Sequence, residues 1–102
     1  MAVYLVVNGS IDDPDLLDEY VREAFPTIGV VPSCKVLALD VESKTLVGSP
    51  AGPRTVILQF DSEDDFHKWY DSPDYQAVLG KRLAATTGFG VLVQGFESDP
   101  TS

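Results

Sequence analysis

The chain has little of the chemistry that usually marks a site. Its 102 residues include one cysteine, one histidine and one tryptophan, and seven lysines and arginines stand against 16 aspartates and glutamates. A lone Cys34 makes no internal disulfide, so burial alone must hold the fold, as expected of a reducing, cytoplasmic setting. The net charge of −9 repels phosphates and anionic headgroups, which argues against nucleic acid and against a membrane surface as partners. No apolar run approaches the roughly 20 residues that span a bilayer. Residues 1–7 are apolar but short, lack a basic flank and run into the turn signal Asn8-Gly9-Ser10, so they are not read as a signal peptide. A nucleophile elbow, a phosphate loop and a dinucleotide fingerprint are all missing. One histidine, one distant cysteine and scattered surface carboxylates make no metal-ligand set, and neither metal nor cofactor is expected.

What the sequence does contain is regular patterning. Residues 2–8, 34–41, 55–60 and 89–96 are rich in Val, Leu, Ile and Phe and are bounded by Gly, Pro, Ser or Asn, the pattern of four strands. Asp13 before Pro14 supplies a carboxylate N-cap and a proline at the first helical position. Leu17, Tyr20, Val21 and Ala24 then form an apolar stripe that ends before Pro26. Ser62 and Asp65 have capping-box spacing, and the helix they open turns Phe66, Trp69 and Tyr70 to one side. Ser72-Pro73 opens a third helix with Tyr75, Val78, Leu79, Arg82 and Leu83 on one face, stopping near Gly88. Residues 1–96 read as a single domain and residues 97–102 as a flexible tail.

Strand, helix, strand, strand, helix pair, strand is the order of a ferredoxin-like βαββαβ α+β sandwich, a four-stranded antiparallel sheet with helices on one face. Runs such as Val3-Tyr4-Leu5-Val6-Val7 and Val56-Ile57-Leu58 are apolar on both faces, and helices cover only one. A two-fold homodimer with sheets packed together is the simplest cover for the other. The acids have an equally local explanation. Six lie from Asp12 to Glu23 and six from Asp61 to Asp74, around helix starts where the macrodipole favours negative charge.

The run Trp69-Tyr70-Asp71-Ser72-Pro73-Asp74-Tyr75-Gln76, with Arg82-Leu83-Ala84-Ala85 downstream and Gly95 at the end of the last strand, resembles the family called domain of unknown function 1330. That family falls within the dimeric α/β-barrel superfamily of ferredoxin-like folds. Tyr4, Asp13-Pro14, Tyr20 and residues 54–60 also fit. The resemblance implies the fold and the dimer; it implies no agreed reaction. The chain departs from the family where paired glycines usually lead into the second strand and a glycine-rich turn interrupts it. Here those stretches read Ile28-Gly29-Val30-Val31 and Leu39-Asp40-Val41.

Two residues are candidate catalytic groups. His67 is the only side chain whose ordinary pKa lies near neutrality, and Glu63 or Asp64 on the same helix is placed to orient it. The competing reading puts His67 at the margin of the buried stripe, partly solvated. Superfamily relatives that handle haem use a histidine ligand, which gives His67 haem contact as a further, minor reading. Arg82 points along the apolar face of its helix, where an unpaired guanidinium is costly. It either pairs with Asp71, Asp74 or a carbonyl, or clamps a substrate carboxylate or enolate with its planar fork.

Trp69, Tyr70 and Tyr75 are candidates both for core packing and for ligand contact. Tyr4, Asn8 and Gln59, with Gln94, are polar positions in the strands and are expected to line one cavity between sheet and helices, or to satisfy strand edges. If the protein is an enzyme, what the resemblance in fold implies is a cofactor-independent isomerase or oxygenase acting on a small carbonyl or aromatic acid, with Arg82 and the tyrosines orienting the substrate and His67 as the base. The alternatives are a non-catalytic small-molecule binder and a purely structural or regulatory homodimer.

Overall fold

Each helix begins where the sequence supplies an oxygen to its first free amides. In the structure, a computed structural model that describes residues 1–49 and 51–96, the Asp13 carboxylate accepts from the Leu16 amide at 3.1 Å and opens α1 (Pro14–Ala24). The Ser62 hydroxyl accepts from the Asp65 amide at 3.1 Å and opens α2 (Glu63–Tyr70). The Ser72 hydroxyl accepts from the Tyr75 amide at 3.2 Å and opens α3 (Pro73–Ala85). The strands are β1 (Val3–Gly9), β2 (Lys35–Asp40), β3 (Arg54–Phe60) and β4 (Gly88–Gln94). They form one antiparallel sheet in the order β2-β3-β1-β4. The fold is the expected ferredoxin-like α+β sandwich.

One local expectation is extended and one corrected. After α1 the chain continues as a 3-10 helix, Phe25–Val30, with Pro26 inside its first turn. Proline forbids another α-turn but tolerates this tighter one, and the Thr27 hydroxyl secures it by donating to the Ala24 carbonyl at 2.6 Å. The third helix ends at Ala85, not near Gly88, which opens β4. Gly88 is required by proximity, because a Cβ there would overlap the Asn8 carbonyl. The expected tail, 97–102, lies outside the described residues.

Strand alternation divides the sheet into two unlike faces. Val3, Leu5 and Val7 of β1 and Leu58 and Phe60 of β3 are buried beneath the helices. There they meet Leu17, Tyr20 and Ala24 from α1 and Phe66, Trp69 and Tyr75 from α2 and α3. Phe60 and Tyr75 are fully enclosed, each contributing roughly 1.5–3 kcal/mol by burial. The opposite face carries Tyr4, Val6 and Asn8 across from Gln59, Ile57 and Thr55, and across from Val93, Val91 and Phe89. Among the described residues no helix covers it, and Phe89, Val91 and Val93 are exposed. Among the described residues no helix is long and apolar enough to cross a membrane.

Candidate functional site

Between the helices and the inner sheet face lies a cleft with a cavity volume of about 50 Å³, within about 560 Å³ of non-atom space that includes its open mouth. Its floor is Leu5, Val7, Val56 and Leu58; its walls are Tyr20, Val21 and Ala24 on one side and Trp69, Tyr75 and Arg82 on the other. Phe25 of the 3-10 helix and Leu39 of the edge strand β2 form an apolar, half-open rim. A second cleft of about 90 Å³ lies between α3 and the ends of β1 and β4, and Arg54 and Arg82 line both.

Arg54 is the unexpected residue. It is the first residue of β3, and its parity with Val56, Leu58 and Phe60 turns it inward, where it is only 6% exposed. Among the described residues its guanidinium has no hydrogen-bond or ion-pair partner. Burial pulls its pKa below the ordinary arginine value. The Arg82 charge pulls the same way, while the Tyr20 and Tyr75 hydroxyls oppose. Arg82, partly buried, is likewise without a side-chain partner among the described residues; the expected pairing with Asp71 or Asp74 does not form. Arg54 is buried as a residue, yet no fully enclosed side-chain nitrogen goes unsatisfied among the described residues; its guanidinium and that of the half-buried Arg82 open onto the clefts, free to meet an anion from outside.

The hydrogen-bonding inventory points the same way. The Tyr20 and Tyr75 hydroxyls share one hydrogen bond of 2.8 Å, which leaves one O–H of the pair uncommitted. Burial, helped by the neighbouring Tyr20 hydroxyl, holds the Tyr75 pKa well above that of an ordinary phenol, so this hydroxyl stays protonated. No aspartate, glutamate or histidine lines either cleft among the described residues. The site is rich in donors and poor in acceptors, which suits a ligand that brings its own negative oxygens.

Of the residues singled out in the sequence, the structure brings Arg82, Trp69 and Tyr75 together in the cleft. Trp69 is already anchored, its indole N–H donating to the Thr27 hydroxyl at 2.8 Å. Tyr70 sits behind this wall, stacked on Phe66 with ring centroids 5.1 Å apart. His67 lies on the outer surface of α2, half-exposed, with Nδ1 3.1 Å from Asp71 and Nε2 3.8 Å from Glu63. Of the two residues expected to orient it, Glu63 is in contact and Asp64 is not.

Tyr4, Asn8 and Gln59 do not share the space between sheet and helices. They alternate with the buried positions and face away from them. Asn8 is committed to the fold. Its amide donates to the carbonyls of Gly52 and Arg54 and to the Thr55 hydroxyl, and its Oδ1 accepts from the Gly52 amide at 2.9 Å. Gln94 shares the register position of Val3 but is exposed at the edge strand. Cys34, half-buried, has its thiol pushed up to about 11 by burial and is no nucleophile at neutral pH. Arg54 and Tyr20 are the site residues that sequence reasoning misses. The available signal is an arginine in the inward parity of an apolar strand.

The fold and the site thus define a ferredoxin-like α+β protein with an arginine-lined cleft under its helices. The chain belongs to the family described as Domain of unknown function (DUF1330), whose profile matches residues 2–96. None of the curated proteins matches it significantly. Among solved structures it is similar to RPA0582, a protein of unknown function from Rhodopseudomonas palustris, with 16% identity over 94% of this chain and 83% of that one and a TM-score of 0.77. It is also similar to SnoaB, a cofactor-independent oxygenase from Streptomyces nogalater, with 13% identity over 97% of both chains and a TM-score of 0.65. A dimeric ferredoxin-like protein of unknown function from Thermobifida fusca matches with 21% identity over 90% and 89% of the two chains and a TM-score of 0.63. At these identities the likeness establishes the fold alone.

Proposed function

We propose that the cleft binds a small carboxylic or enolic acid with an apolar, preferably aromatic, body. The negative oxygens meet Arg54 and Arg82, and the body lies between Tyr20, Trp69 and Leu58. The observation that carries this reading is Arg54, only 6% exposed and without a hydrogen-bond or ion-pair partner among the described residues, whose guanidinium opens onto the cleft beside a second arginine and an uncommitted tyrosine O–H. Charge-assisted bonds from guanidinium to carboxylate or enolate are the strong ones in a dry site.

Donors aimed at an oxyanion also lower the energy of an enolate formed on the ligand, and in that capacity the site supports a cofactor-independent isomerase or oxygenase. The oxygenase SnoaB on the same fold is consistent with this chemistry by analogy only. A non-catalytic binder is the second reading, favoured by a specific observation: no histidine or carboxylate lines the cleft among the described residues to take a proton. The working unit is a homodimer through the uncovered sheet face, in keeping with the dimeric neighbour from Thermobifida fusca.

Calorimetric titration with small aromatic carboxylates tests the site. Binding that disappears in Arg54→Met, in a variant that still melts cooperatively, is expected; equal binding by wild type and variant would refute it. Solvent deuterium exchange next to the carbonyl of a bound enolisable acid, or oxygen uptake without added metal or cofactor, then separates enzyme from binder. Neither signal with a bound ligand leaves the binder.

A further inference from the structure

Arg54 and Arg82 do more than lie near one cleft. They form the wall shared by two, the apolar one beneath α1 and a second one lined also by Asn8, Gly9, Gly88, Phe89 and Gly90. Neither cleft presents an acidic side chain among the described residues, although the chain carries 16 acids. Two like charges therefore face a common space with no acidic side chain among the described residues to balance them. A monoanion engages one guanidinium and leaves the other facing the half-open clefts without a counter-charge. The glycines on the second cleft's wall, Gly9, Gly88 and Gly90, put no side chain into it and so leave room beside the arginines for a further group.

We infer that the natural ligand is a dianion: an acid with two anionic groups, one at each side of the arginine wall, attached to a body that occupies the apolar cleft. This rests on the reading of the cleft as an anion site and goes beyond it by fixing the ligand's charge. The acidic surface sharpens the point. A net charge of −9 repels anions in bulk, so discrimination must arise at contact, where both guanidiniums are satisfied at once.

The test uses two matched pairs of probes titrated calorimetrically into the full chain at a pH above their second ionisation: phthalate against benzoate, and phenylphosphonate against its monomethyl ester. In at least one pair the dianion is expected to bind about tenfold tighter or more, which is about 1.4 kcal/mol. Arg82→Met should bring that ratio close to one while the monoanion still binds. Equal affinity within both pairs overturns the dianion inference and leaves the anion site standing; no binding by any of the four probes overturns both.

Discussion

The two faces of the sheet are built from the same strands and do opposite things. On the inner face, Val3, Leu5, Leu58 and Phe60 pack tightly under the helices, and the one interruption is a charge, Arg54, that nothing in the described chain neutralises. On the outer face Asn8 and Thr55 are satisfied within the fold, and the uncovered surface is apolar: Val6, Ile57, Val91 and Val93 in a cross-strand cluster. The inner face lacks an anion and the outer face lacks apolar cover. A polar residue in a strand is thus a poor guide to a binding site unless its partners are counted, since the strand asparagine is fully engaged by the fold and the strand arginine is not.

The contrast can be broken by substitution. The largest effect should come from Phe60→Ala, which empties a fully enclosed site and is expected to lower stability by about 3–5 kcal/mol in denaturant melts; a loss below about 1 kcal/mol would mean the inner face is loosely packed. Ile57→Asp, on the outer face, should leave the circular dichroism spectrum unchanged yet convert the proposed dimer to a monomer in light scattering, because it would bury a charge against a second copy. A dimer that survives the substitution uses another surface.

Arg54→Met should raise the melting temperature of the ligand-free protein, by about 0.5 kcal/mol or more in stability, since it replaces an unpartnered charge at the cleft wall with an apolar side chain of similar length. A destabilised variant would show that the guanidinium has a structural partner. His67→Gln should change neither stability beyond about 0.5 kcal/mol nor ligand binding, because its ring is half-exposed and meets only surface carboxylates. A loss of binding in this variant would move the site to the outer surface of α2.

Much of this architecture is legible in the sequence because local chemistry dictates it. Asp13-Pro14, Ser62 and Ser72-Pro73 cap the helices they are expected to cap, and the strands fall within one or two residues of their expected bounds. Parity is less legible. In Val3-Tyr4-Leu5-Val6-Val7 every residue is apolar or aromatic, so alternation carries no signal about which side faces the helices. A reading from the pattern alone consequently puts Tyr4, Asn8 and Gln59 on the wrong side of the sheet. The cross-strand register, which depends on contacts distant in sequence, settles the matter. For the same reason the convergence of Arg54 and Arg82 cannot be read from their numbers, 28 positions apart in two separate elements.

The placement of Trp69 has a practical consequence. It is the only tryptophan in the chain, it forms part of the cleft wall, and its ring is held in one orientation by Thr27. Its fluorescence therefore comes from a single, immobilised emitter beside the space a ligand would fill. Quenching or a spectral shift on mixing would report occupancy directly, without a label and whatever the identity of the compound, so an unbiased screen of small acids can be run on the native protein.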